Sequence, residues 1–207
     1  MQGMDEKIKK LKEWLGAGSI NLFGRPFSGK DTQADILAKL LDGQVIGGGE
    51  ILRSHEDAIP ENVRLTYNNG GLAPTDFYLQ LVPPYLAQPQ FSNHPLLLSS
   101  IGRKHGEENA IVSAAEKAGH PIVAVINLII EEDEVWKRFR VAQEDHDRGN
   151  RTDDSSEALR IRLEKFRSET IPVIEYYKQR GIELDIDGSL PRGVVTEKII
   201  DTLLSRI

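Results

Sequence analysis

Ile20-Asn21-Leu22-Phe23-Gly24-Arg25-Pro26-Phe27-Ser28-Gly29-Lys30-Asp31-Thr32-Gln33 is the stretch on which the reading of the fold turns. Ile20 to Phe23 is a short apolar run of strand type, and Gly24 stops it. Lys30 to Leu41 reads as a helix, because Ala34, Leu37, Ala38 and Leu41 recur at steps of three and four on one face. Strand, glycine-bearing loop and helix, in that order, form a phosphate cradle. Glycines at 24 and 29 let successive backbone N–H groups turn inward, the helix N-terminus adds partial positive charge, and Lys30 reaches the outer phosphates. The alternative is a plain turn whose dihedrals need glycine; a strand before and a helix after favour the phosphate reading. One position departs from the motif. The serine or threonine that ordinarily follows the lysine is Asp31, with Thr32 next.

Outward from this loop, Leu96 to Leu98 and Ile122 to Leu128 are apolar runs without alternation, as expected of strands covered on both faces, and Val45-Ile46 and Ile182 to Ile186 supply two further strands. Between them the periodicity predicts helices from Met4 to Leu15, from Thr75 to Leu86, from Glu132 to Glu144 and from Val194 to Leu204, with short helical pieces between Glu50 and Asn69. A long helix is expected from Ser155 to about Arg180, bent at Pro172. Strands alternating with helices indicate an α/β fold in three layers: a five-stranded parallel sheet with helices on both faces. Ligands of such sheets sit beyond the carboxyl ends of the strands, which gathers the Gly24 loop, Gly48, Ser99 and Asp187 at one edge.

Composition removes several function classes. The 207 residues are 39% hydrophobic and 28% charged, an ordinary globular balance. No cysteine occurs, which excludes disulfides, thiolate metal sites and cysteine nucleophiles and fits a reducing, cytoplasmic setting. A net charge of −6 argues against general affinity for nucleic acid or anionic lipid. No apolar stretch approaches the roughly 20 residues of a spanning helix. Glu144-Asp145-His146-Asp147 carries metal-ligand residue types, but its consecutive placement in a polar loop reads as solvated surface. Trp14 and Trp136 lie on amphipathic stretches and read as packing residues.

Gly24-Arg25-Pro26-Phe27-Ser28-Gly29-Lys30-Asp31-Thr32-Gln33 resembles the GxPxxGKxTQ loop of adenylate kinases and related nucleoside monophosphate kinases. The resemblance continues in order through Gly49-Glu50-Ile51-Leu52-Arg53, Gly70-Gly71-Leu72-Ala73-Pro74, Leu96 to Arg103, Arg151-Thr152-Asp153-Asp154, Arg162-Leu163 and Tyr176-Tyr177. It implies a phosphate-loop NTPase fold that transfers the γ-phosphoryl of MgATP to a monophosphate, with AMP expected. Phe27, Ser28, Gly29, Lys30, Asp31, Thr32 and Arg138 would bind ATP. Gly48, Arg53, Gly71, Leu72, Ala73, Ser100, Arg103, Glu107, Arg151 and Arg162 would bind the monophosphate. Lys30, Arg103, Arg151 and Arg162 would carry catalysis. The implied partition is an N-terminal helical extension (1–18), a core (19–46, 77–142, 153–207), a monophosphate-binding insertion (47–76) and a short lid (143–152), working as a monomer.

Independently of the family, Arg53, Arg103, Arg138, Arg151, Arg162 and Lys30 suit a reaction that gathers phosphate charge, since the guanidinium fork binds phosphate oxygens in pairs. The chain departs from the family at several positions. Ser99 stands where the family has an aspartate serving Mg²⁺, Glu107 where it has a glutamine at the adenine, Gly48 where it has a threonine, Ala142 where it has an arginine, and Leu190 where it has a lysine. An ionised carboxylate only accepts hydrogen bonds, so Glu107 fits guanine's donors better than adenine's mixed edge. Two rivals follow: a kinase for GMP or a pyrimidine monophosphate, and a nucleotide-binding protein of low activity. Asp31 is the candidate for Mg²⁺, directly or through water; the competing reading is a carboxylate on the first turn of a helix, favoured by the dipole.

Overall fold

The computed structural model describes residues 2–55, 57, 59–144 and 155–207. The five apolar runs become β1 (Ser19–Gly24), β2 (Gln44–Gly47), β3 (Leu96–Ser99), β4 (Ile122–Ile129) and β5 (Glu183–Asp187). All pair in parallel, in the order β2-β3-β1-β4-β5. In the inner strands successive residues face opposite sides and both sides are mostly apolar. Ile20 and Leu22 of β1 enter a core shared with α1 (Gln2–Leu15), α2 (Lys30–Leu41) and α10 (Arg192–Leu204), whereas Phe23 turns the other way, against Tyr177 and Val173. In β3, Leu97 joins the first core, while Leu96 and Leu98 join a second one built with α5 (Thr75–Leu86) and α6 (Glu108–Lys117). Double coverage is why β3 and most of β1 and β4 carry no apolar–polar alternation, whereas β5, at the sheet edge, alternates, with Leu184 and Ile186 buried and Asp185 and Asp187 exposed.

The amphipathic helix expected from Met4 begins at Gln2 and is tied down: Leu11 and Leu15 are buried, and Lys7 and Lys12 pair with Asp201 and Asp42. Gly47 ends β2 and Gly48 opens α3 (Gly48–Arg53). With α4 (Glu61–Asn68), α3 forms a helical excursion between β2 and α5, held by Ile51, Leu52, Ile59 and Val63 in the second core.

One expectation is corrected. The helix read from Ser155 to Arg180 is two helices, α8 (Ser156–Lys165) and α9 (Ile171–Gln179), joined by a π-helical turn at Phe166–Thr170. Pro172 lacks an N–H and its ring crowds the carbonyl four residues earlier, so the preceding turn widens and Ile171 N–H reaches back to Phe166 O. The irregularity therefore lies one turn ahead of the proline. Both tryptophans pack as expected, Trp14 against the first core and Trp136 edge-on to Phe139 with ring centroids 5.9 Å apart. Among the described residues, no helix is long and apolar enough to cross a membrane.

Candidate active site

The loop after β1 is fixed by close approach and by strain. A Cβ on Gly24 would lie 2.8 Å from Leu128 O and collide with the Ser28 hydroxyl, so only glycine fits. Gly29 (φ +92°) turns the chain into α2, and Phe27 holds φ +63°, a conformation costly for a bulky side chain. Surrounding contacts impose that strain. Phe27 packs edge-on to Phe139 of α7 (Glu132–Glu144) at 5.6 Å. Arg138, on the same helix, donates to Phe27 O (3.1 Å), Ser28 O (3.4 Å) and Gly188 O (2.9 Å), and its Nε donates to Glu134 (2.8 Å). The Arg138 hydrogen bond holds the Glu134 carboxyl below its ordinary range. Arg25 braces the loop by donating to Ile130 O. Ser28 Oγ is buried with no hydrogen-bond partner among the described residues.

The parallel register brings β3 to the same place, with Ser99 level with Leu22 of β1 and Gly47 of β2. The Ser99 hydroxyl donates to Asp31 Oδ1, and Lys30 Nζ stands 3.3 Å from Asp31 Oδ2. Ser100 turns the chain with φ +54°, its N–H bonding to Leu22 O. Asn21 of β1 is fully buried and clamps the next turn, donating to Ile101 O (2.8 Å) and accepting from Ile101 N–H (3.3 Å). Thr170 of the π turn donates to Arg103 O at 2.9 Å, fixing the backbone that carries Arg103.

Between this loop and the excursion after β2 opens a cavity of about 480 Å³. Its far wall depends on close packing. A Cβ on Gly48 would stand 3.0 Å from both Ser100 O and the Tyr78 hydroxyl, and one on Gly70 (φ +85°) would stand 2.6 Å from Ala158 O. Arg53 folds over Gly49, and Arg103 and Arg162 also line the space. Glu107 is the buried carboxyl of this wall, 2% exposed, with the Lys104 N–H at 3.4 Å. Burial pushes it up to about 7, against the opposing pull of Lys104, Thr75 and Arg103. Burial also raises Tyr78 beside it.

Of the residues singled out in the sequence, Phe27, Lys30, Asp31, Gly48, Arg53, Gly71, Leu72, Ala73, Ser100, Arg103, Glu107 and Arg162 line one cavity. Ser28, Gly29 and Thr32 belong to the loop and the start of α2 beside it. Arg138 lies behind the loop, on its carbonyls, and does not line the cavity. Arg151 and the expected lid from Asp145 onward lie outside the described residues. Tyr78, Asn21 and Thr170 escaped the sequence reading; only Asn21 gave a signal, as an amide interrupting an apolar strand. Among the described residues, no three His, Cys, Asp or Glu side chains group to hold a metal.

The sequence profile of the family described as adenylate kinase matches residues 22–182, which span the loop, both walls of the cavity, the second half of β1 and all of β2, β3 and β4. The chain belongs to the adenylate kinase family. It is similar to the adenylate kinase of Rhodopirellula baltica, 34% identical over 188 residues that cover 89% of this chain and 94% of that protein. Similar too are those of Thermus thermophilus (30% identical, covering 82% and 88%) and Thermobifida fusca (29%, covering 90% and 98%). Family membership makes this an ATP-dependent nucleoside monophosphate kinase on a phosphate-loop NTPase fold, and the parallel sheet with both faces covered is that architecture.

Proposed function

We propose that the protein transfers the γ-phosphoryl of ATP to AMP, giving two ADP, by direct in-line displacement. The observation carrying this reading is the convergence of Lys30, Arg53, Arg103 and Arg162 on one cavity beside a phosphate loop. Such transfer needs positioning and cationic stabilisation more than covalent chemistry. Lys30 and the N–H groups from Phe27 to Thr32 hold the donor phosphates. Arg53 and Arg103 hold the acceptor phosphate, and Arg162, with Arg151 assigned by sequence alone, meets the transferring group. The acceptor oxygen is already anionic, so no side-chain base is required. Residues 47–76 act as the acceptor-binding insertion and 143–152 as a lid whose closure excludes water, which would otherwise take the phosphoryl. Magnesium arriving with ATP supplies neutralisation of phosphate charge. Every assigned residue lies in one chain, so a monomer suffices.

One observation favours a second acceptor. Glu107, buried on the wall beside Gly48, accepts but does not donate when ionised, which suits the N1 and N2 donors of guanine. A coupled assay offering AMP, GMP, CMP and UMP in turn tests both readings. Fastest turnover with AMP supports the first and fastest with GMP the second; ATP bound but no monophosphate phosphorylated contradicts both.

A further inference from the structure

Tyr78 stands near Glu107 on the cavity wall, on the first turn of α5, with its ring packed into the second core and only 7% of the residue exposed. Its hydroxyl occupies the space beside Gly48: a Cβ at position 48 would lie 3.0 Å from that oxygen. Glycine at 48 and tyrosine at 78 therefore fit as a pair, the long side chain of one reaching into room that the other leaves. A phenol offers one proton and two lone pairs. Among the described residues this hydroxyl makes one hydrogen bond, accepted from Gly102 N–H at 3.5 Å, the long end of the range. Its proton is left for the cavity. Burial foremost, with the charge of Glu107 adding to it, holds the phenol above its ordinary range against Gly102 N–H and Arg103, so the group stays neutral and able to donate.

Glu107 is the complementary group. As a carboxylate it only accepts, whereas adenine presents a donor, the N6 amino group, next to an acceptor, N1. Glu107 alone answers half of that edge. Tyr78 brings the missing donor, so that two side chains together offer what a single amide would. The other hydroxyls lining the cavity are turned elsewhere, Ser99 to Asp31 and Ser100 to Leu22 O at 3.3 Å.

We propose that Tyr78 is a specificity-determining residue of the acceptor site, its hydroxyl donating to N1 of the adenine of AMP while Glu107 accepts from N6. The proposal rests on the AMP reading and extends it from the phosphate to the base. Its consequence is that adenine stays readable when Glu107 is ionised, because the donor does not depend on that carboxyl.

The test removes each partner of this one hydrogen bond separately. Initial rates of the full chain, with saturating MgATP and at a pH above about 8 so that Glu107 is ionised, are measured with AMP and with 1-deaza-AMP, in which C–H replaces N1. In the wild type, 1-deaza-AMP should be the poorer acceptor by roughly tenfold in kcat/KM, the scale of one neutral hydrogen bond. Tyr78→Phe should lose about the same factor with AMP and almost nothing with 1-deaza-AMP, while KM for ATP holds. An equal loss with both acceptors overturns the proposal, since the hydroxyl would then act through Gly102 N–H and the packing of the wall. A wild type that uses 1-deaza-AMP as well as AMP overturns it without any variant. A loss in Tyr78→Phe seen with GMP and not with AMP also overturns it, moving the contact to a guanine atom. If the wild type phosphorylates GMP and not AMP, the AMP reading itself falls, an outcome distinct from equal losses by a chain that uses AMP.

Discussion

The two ends of the cavity are built by different means. At the donor end the work is done by backbone: Gly24 pressed against Leu128 O, Phe27 and Gly29 at positive φ, and Arg138 holding two loop carbonyls from behind. At the proposed acceptor end side chains join the close-packed glycines 48 and 70: Arg53 is folded over Gly49, and Glu107 is buried near Tyr78. A backbone cradle recognises phosphate, which every nucleotide shares, and is indifferent to the base. Side chains recognise a particular edge, and one exchange there can change the acceptor. The difference would let a chain keep the loop signature while its residues at Gly48 and Glu107 set the acceptor.

Substitutions should separate the two ends. Lys30→Met should cost at least ~10²-fold in turnover with the fold intact, as loss of one preorganised charge does. Steady-state rates and circular dichroism check it; near wild-type activity would remove the loop from the mechanism. Arg138→Ala should be smaller and one-sided. Releasing the carbonyls of Phe27 and Ser28 frees the strained loop, so KM for ATP should rise about tenfold, the scale of a lost charge-assisted hydrogen bond, while KM for the monophosphate holds. Equal rises in both constants would mean that Arg138 supports the whole fold and not the donor end.

The smallest effect should arise at Glu107 and depend on pH. Burial raises this carboxyl to about 7. Below that value it is protonated and both donates and accepts, as adenine requires; above it the carboxylate only accepts, as guanine's donors require. The ratio of AMP to GMP turnover should therefore fall by a few-fold as pH rises through about 7, and Glu107→Gln should flatten the profile. A wild-type ratio independent of pH would move Glu107 away from the base.

The inner strands were legible because a buried parallel strand writes itself as a continuous apolar run, and α2 and α7 because their apolar faces keep a helical period. The parts that escaped depend on which segments meet. Arg138 and Arg162 are both basic residues on helices, yet one lines the cavity and the other holds the loop from behind, a distinction set by how α7 packs on Phe27. The Ser99–Asp31 contact joins residues 68 apart through the register of β1 and β3, which no local pattern encodes. The π turn needed the steric demand of Pro172 to be resolved upstream and not at the proline, and Thr170's bond to Arg103 O follows from that choice.

The central claim is phosphoryl transfer between two adenine nucleotides, and it is tested most directly in reverse. The purified chain is mixed with ADP and Mg²⁺ alone, and the nucleotides are separated by chromatography over time. The account expects ATP and AMP to appear in equal amounts at the expense of ADP, and expects Lys30→Met to suppress the reaction. ADP left unchanged by a chain that converts ATP and GMP into ADP and GDP would contradict it.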